Sequence, residues 1–311
     1  MKKIKSLIIG TGAIGAYLAR LLIKKNHKVL VTSRFRGRKK ENYTKLKLSN
    51  KVIFKKLNIL RKRDIEKILI KEKPKNIFYL AGQSSLTKSF KLSKETFRSN
   101  YIGAKNFLEI IKKNKINCNF FKANSGYIFK PINGKINLNS KLVSSKNPYV
   151  KAQQKAYNLV KKFRKKNLKC FSLIFMQIES PLRDNSFFMK KICLHAKKNK
   201  IVTVGNINTI RDYSWIEEMV QGVYFSTFIK PCDLILSSGN KLSGKNILKF
   251  AYNLNNLNYK KFYKVDKKFI RKKELKTIIG TNNLTIQKLK KFNWKPKIFG
   301  NQLVKKIYKS L

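Results

Sequence analysis

The chain has 311 residues, 73 Lys+Arg against 14 Asp+Glu, and a formal net charge of +59. Charge on this scale signals disorder only where apolar residues are scarce; at 42% hydrophobic and 12% aromatic the chain can build one large domain or two smaller ones. The basic residues run through its whole length instead of forming a stripe, and Lys, Asn and Ile abound together, so the charge reads as Lys on solvated faces and not as a nucleic-acid footprint.

Cys118, Cys170, Cys193 and Cys232 contain no C-x-x-C pair, and His27 and His195 are the only histidines. That pattern argues against a disulfide framework, a His-rich or zinc metal site and a Ser-His-Asp triad. Acid–base chemistry then falls to Tyr, Lys or a carboxylate. The basic start Met1-Lys2-Lys3-Ile4-Lys5 before an apolar stretch has the look of a leader, but the glycines that follow argue for a folded turn. No run of about 18 apolar residues occurs, and the expectation is a cytoplasmic protein without a membrane partner.

In chain order, Leu7 to Ile9 reads as a strand, Gly10-Thr11-Gly12-Ala13-Ile14-Gly15 as a glycine turn, and Ala16 to Leu22 as a helix. A G-x-G-x-x-G in that context supplies a tight turn, backbone approach to a pyrophosphate and close helix packing, with free N–H groups at the helix start. Gly10, Gly12, Ala13, Ile14 and Gly15 are the first cofactor-binding candidates. A second strand, His27 to Thr32, ends in Ser33-Arg34-Phe35-Arg36-Gly37-Arg38. An acidic residue that would grip two ribose hydroxyls is missing there, while Arg34, Arg36 and Arg38 suit a 2′-phosphate, which favours NADP(H) over NAD(H).

The alternation continues with strands at Val52 to Phe54, Asn76 to Leu80, Asn119 to Ala123 and Cys170 to Gln177. Helices fall at Asp64 to Ile70, Ser99 to Lys112 and Pro148 to Lys166. The expected fold is α/β: a Rossmann-type doubly wound parallel sheet over 1–177, then a smaller mixed α/β lobe over 178–311, with a helix near 212–228 packing back on the first domain. Phe187, Phe188, Trp215 and Trp294 read as packing residues, and Glu217-Glu218 as the start of a helix.

Leu80-Ala81-Gly82-Gln83-Ser84-Ser85 resembles the segment after the fourth strand in GDP-mannose 4,6-dehydratases and related extended short-chain dehydrogenases, the NAD-dependent epimerase/dehydratase family. Asn100-x-x-Gly103, Asn147-Pro148-Tyr149, Glu179-Ser180-Pro181-x-Arg183, Arg211-Asp212-Tyr213, Val265-Asp266 through Arg271 to Glu274, and Trp294-Lys295-Pro296-Lys297 follow in the same order. The resemblance implies a nucleotide-sugar enzyme with bound NADP: in the family, hydride leaves sugar C4 for the nicotinamide, a glutamate takes the C5 proton, water leaves C6 and hydride returns to C6, giving a 4-keto-6-deoxy sugar.

 The implied substrate is a GDP-linked nucleotide-sugar, the implied cofactor NADP(H) with NAD(H) as the other possibility, and the implied assembly a homodimer or homotetramer.

Carried over by position, Ser125 takes the family's threonine role and Tyr149 the acid–base role. Asn58, Ile59, Leu80, Ala81, Gly82, Ser84, Asn100, Tyr149 and Gln153 would line the cofactor; Gln83, Ser85, Ser125, Gln177, Glu179, Arg183, Arg211, Arg271 and Glu274 would line the nucleotide-sugar. The chain departs from the pattern at Gln153, where Y-x-x-x-K has its lysine, and at Tyr127, where the C5 base of T-x-E stands. Lys151 and Lys155 lie off the i+4 face of Tyr149. Tyr157-x-x-x-Lys161 satisfies the motif literally but lies about 12 Å further along the helix, so Tyr157 reads as packing and Lys161 as solvated. Dehydration, 4-keto reduction or epimerisation, and a scaffold without turnover all remain open readings.

Overall fold

The structure is a computed structural model, and it describes residues 3–34, 41–270 and 274–311. Arg36, Arg38 and Arg271 lie outside the described residues. The first half of the chain runs β1 (Lys5–Ile9), α1 (Ala13–Lys24), β2 (Lys28–Ser33), α2 (Glu41–Lys45), β3 (Ile53–Lys56), α3 (Lys62–Glu72), β4 (Asn76–Tyr79), α4 (Lys88–Lys91), α5 (Ser93–Phe97), α6 (Gly103–Lys113), β5 (Asn119–Ser125), β6 (Lys135–Ile136), α7 (Pro148–Arg164) and β7 (Cys170–Phe175). The second half runs β8 (Gln177–Glu179), α8 (Phe188–Lys197), β9 (Val202–Val204), β10 (Ile210–Arg211), β11 (Tyr213–Trp215), α9 (Ile216–Phe225), β12 (Asp233–Leu236), β13 (Leu242–Ser243), α10 (Gly244–Asn253), β14 (Tyr263–Val265), β15 (Thr277–Gly280), α11 (Asn283–Lys288) and α12 (Gly300–Lys309). Two compact units result, one of residues 1–130, 141–175 and 220–234, the other of 131–140, 176–219 and 235–311.

The first unit is built on a seven-stranded sheet of order β12-β7-β5-β4-β1-β2-β3. β1 pairs in parallel with β2 on one side and β4 on the other, and β2–β3, β4–β5 and β5–β7 are parallel as well. Strands buried on both faces need apolar residues at every position. Alternate side chains accordingly serve two layers: Leu7, Ile9, Tyr79 and Phe120 pack against Ile65, Leu69, Phe107, Leu108 and Val160 of the helices. From the intervening positions, Phe121 stacks between Phe78 and Phe171 at centroid distances of 4.8 and 4.5 Å. Each such buried side chain contributes about 2 kcal/mol.

Two expected elements divide. The helix expected from Ser99 opens in a π-type turn, Arg98–Ile102, that carries Asn100 and interrupts the helical run between α5 and α6. The strand expected over Cys170 to Gln177 stops at Phe175, and Gln177–Glu179 joins β11 instead. Neither break leaves a mark in hydrophobic periodicity, because both follow from where a side chain or strand finds its partner.

The second unit holds a four-stranded sheet, β13-β10-β15-β6, and the pairs β11–β8 and β14–β9. Its core gathers Met189, Ile192, Trp215, Leu248, Tyr252, Leu303 and Ile307. Trp294 is buried and its indole N–H donates to the Glu218 carbonyl at 2.8 Å. Asp212 is its polar centre: the carboxylate accepts from the Ser238, Gly239 and Gly280 amides at 3.0, 3.0 and 3.2 Å and from the Ser238 hydroxyl at 2.7 Å. Burial raises its pKa while those bonds oppose the rise.

Asp212→Ala orphans several buried donors, and a loss of about 3 kcal/mol in the stability of this unit is expected. Urea unfolding followed by the fluorescence of Trp215 and Trp294 measures it. In the first unit His27 is buried, bonded at Nδ1 to the Ser6 hydroxyl at 2.9 Å, and its pKa is lowered by desolvation. The unfolded chain therefore takes up the proton first, so this contribution to stability is intact above about 6.5 and is lost as pH falls below it. Thermal unfolding of His27→Asn by circular dichroism is expected to show a weaker acid dependence than the parent.

Candidate active site

The site begins where β1 and β4 end side by side. Gly10 has φ +108°, and a Cβ there would lie 3.1 Å from the Ala81 backbone, so only glycine lets the two strand ends meet. The Leu80 amide donates to the Ile9 carbonyl at 3.0 Å across the same junction. Gly15 presses α1 onto the strand, its missing Cβ facing Ile8 and the Tyr43 hydroxyl at 3.2 Å. Around Gly12, by contrast, the space is open, and the start of α1 at Gly12, Ala13 and Ile14 has no side-chain cap. Uncapped N–H groups beside open space are what a phosphate requires.

The remaining cofactor candidates occupy the same edge of the first unit. Asn58 turns the chain after β3, its Oδ1 accepting from the Leu60 amide at 3.0 Å, and the buried Ile59 carbonyl accepts from Asn106 at 3.0 Å. Arg34 follows β2 but is engaged by Glu95, with Nη2 at 2.7 Å from Oε1. Leu80, Ala81 and Gly82 follow β4; a Cβ on Gly82 would collide with the Asn100 side chain. Gln83 folds onto its own loop, donating to the Ser85 carbonyl at 2.8 Å and to Thr96 at 3.3 Å, and Ser84 is exposed.

Helix α7 delivers the central pair. Asn147 caps it, accepting from the Tyr149 and Val150 amides at 2.9 and 3.3 Å, and Pro148 supplies the preset first turn. The cap is itself tied down, donating to the Leu86 carbonyl at 3.1 Å and accepting from Ser89 at 3.2 Å. Tyr149 and Gln153 then lie one turn apart on the buried face. The Tyr149 phenol meets Ser125 and Gln153; burial raises its pKa, both hydrogen-bond partners pull it back, and Tyr127 raises it further. Ser125 also accepts from the Tyr127 amide at 3.3 Å, which closes the turn after β5.

Gln153 is fastened on both sides of its amide. Its Nε2 donates to Asn100 Oδ1 at 3.0 Å, and Asn100 in turn donates to the Gln83 and Thr96 carbonyls at 3.1 and 3.0 Å. Its Oε1 faces the Lys122 ammonium at 3.5 Å. Lys122 belongs to none of the sequence motifs. The signal in the sequence is a lysine directly after Phe120-Phe121 in the strand Asn119–Ser125, most of which is buried. Lys155 instead stands over the Phe97 and Tyr101 rings at 5.8 Å. Tyr157 is buried, donates to Asp233 at 2.9 Å and packs edge-on against Phe129, while Lys161 is exposed.

Within the second unit the candidates form two clusters. Glu179 is buried and pairs with Arg183 at 3.0 Å, and Arg183 reaches Gln177 at 3.3 Å. Burial raises the Glu179 pKa, with Arg183 and Lys190 acting against it. Arg183 also lies over the Phe187 ring at 4.0 Å. Arg211 and Glu274 pair at 3.2 Å, the guanidinium being further held by the Ile210 and Lys276 carbonyls at 2.8 and 3.2 Å.

Along nearly its whole length the chain is similar to known proteins. Human GDP-mannose 4,6 dehydratase is 25% identical over 338 residues, spanning 97% of this chain and 90% of the human protein. The Caenorhabditis elegans GDP-mannose 4,6 dehydratase 2 is 24% identical over 340 residues, 98% of this chain and 88% of its own. Among solved structures, UDP-glucose 4-epimerase of Thermotoga maritima superposes with a TM-score of 0.84 at 19% identity, covering 99% of this chain and 98% of that one. The dTDP-glucose 4,6-dehydratase of Bacillus anthracis, solved with NAD, gives 0.85 at 14% identity over 99% and 96%. The GDP-mannose 4,6 dehydratase family profile matches residues 7–307, and on that match over nearly its whole length the chain belongs to the GDP-mannose 4,6-dehydratase family.

Proposed function

We propose that the protein binds a nicotinamide dinucleotide and moves hydride at C4 of a nucleotide-linked sugar, with Tyr149 as its acid–base group. The observation that carries this reading is the buried Tyr149 phenol held between Ser125 and Gln153 in the unit that also bears the open glycine turn. The residues present fit a dinucleotide: Gly12 leaves room, the start of α1 offers unpaired N–H groups, and Gly10 lets the β4 end approach. Bound there, the dinucleotide supplies the hydride acceptor and donor. Tyr149 takes or returns the proton of the C4 oxygen, and Ser125 orients that oxygen by a second hydrogen bond.

The family relationship supports a GDP-linked substrate, and Arg34 with Arg36 and Arg38 supports NADP(H) over NAD(H). Arg211 and Glu274 would take the nucleotide, with Gln177, Glu179 and Arg183 toward the sugar. A reading without dehydration is favoured by two observations. The family resemblance puts Tyr127 where a carboxylate would act on C5, and one oxygen of Glu179 is paired with Arg183. Reduction of a 4-ketone, or epimerisation at C4, needs only Tyr149, Ser125 and the dinucleotide.

Incubation of the protein with NADP(H) and a panel of GDP- and UDP-sugars, read by mass spectrometry, is expected to change one sugar. Tyr149→Phe should cut that turnover by at least about 100-fold with dinucleotide affinity kept; no change in any sugar with the parent protein defeats the reading. Arg34→Ala should narrow the preference for NADP(H) over NAD(H) by about tenfold, measured by fluorescence titration.

A further inference from the structure

Lys122 is fully buried on β5, an uncommon place for an ammonium without a carboxylate. Its Nζ donates to the Ala123 carbonyl, faces Gln153 Oε1 at 3.5 Å and sits 5.5 Å from the Tyr79 ring centroid. The titratable groups toward it are Tyr79 from β4, directly, and Tyr149 from α7, through Gln153; burial raises the pKa of both phenols. Among the described residues no carboxylate forms an ion pair with it. The contact to Gln153 selects one amide orientation, because an ammonium beside Oε1 leaves Nε2 toward Asn100 and Tyr149.

We propose that Lys122 is the positioning cation of this site, taking over from β5 the role that a lysine one turn after the tyrosine plays in Y-x-x-x-K. It acts through Gln153: the ammonium fixes and polarises the amide, and the amide N–H stabilises the phenolate left when Tyr149 gives up its proton. This rests on the proposed hydride transfer. In the reductive direction the C4 carbonyl carbon gains the hydride, its oxygen gains the Tyr149 proton, and the phenolate is reprotonated from water. Burial holds the Lys122 pKa down to about 7, so the ammonium is present below neutrality and lost above it.

The test has an arm that needs neither substrate nor cofactor. Lysine side-chain carbon NMR of the ligand-free protein should show one lysine titrating near neutrality that is missing in Lys122→Met, and Gln153→Leu should move that titration lower by about one unit. A Lys122 that titrates with the surface lysines, or ignores Gln153→Leu, overturns the proposal. In the reductive assay, Lys122→Met should lose at least about tenfold in kcat with KM within about twofold, and should lose the fall in rate that the parent shows as pH rises through neutrality. The exchange K122Q/Q153K should recover kcat to within about threefold of the parent. A fully active Lys122→Met, an exchange no better than the single variants, or a Lys122→Met that fails to fold each overturns it. A parent protein with the NMR signature but no turnover on any sugar counts against the nucleotide-sugar reading and leaves the Lys122–Gln153 coupling standing.

Discussion

The close approach of the β1 and β4 ends is the constraint on which the first unit depends. β1 is the strand at which the order of the sheet reverses, paired to β2 on one side and β4 on the other, and such a reversal opens a crevice beyond the carboxyl ends of the strands. Gly10 permits it, since a side chain there would press on the Ala81 backbone. From that junction the Leu80–Gly82 segment leads to Asn100, and Asn100 leads to Gln153.

Around Gln153 the rules that govern the rest of the sheet are suspended. A fully buried lysine follows Phe120 and Phe121 in β5, an asparagine lies in a π-type turn, and Asn124 of the same strand has buried side-chain atoms without partners. Departures of this kind cost stability and gather where chemistry is done. The surrounding aromatic layers, with Phe121 between Phe78 and Phe171, supply apolar burial that offsets the cost.

The large positive charge has a plainer role than its size suggests. Several of the few acidic residues are held by cations, Glu72 by Lys5 and Lys55, Glu109 by Lys62 and Lys105, and Asp233 by Arg164. Pairs as exposed as Lys45–Glu41 add little to stability. The cations that matter are those whose surroundings are special, such as Arg183 against Phe187, Arg211 within carbonyls and Lys122 beneath Gln153.

The sequence by itself determined the alternating α/β order, the glycine turn and the Asn147-Pro148 start of α7. Each is written in local spacing or capping chemistry, which neighbours in the chain enforce on one another. Only the tertiary structure decided what stands beside Gln153. Lys122 and Gln153 are 31 positions apart, and their meeting follows from how β5 is seated beneath α7. The same holds for the Arg34–Glu95 pair and for the break at Asn100. No local pattern carries such contacts, because they depend on which side chains the folded backbone brings within a few ångströms of each other.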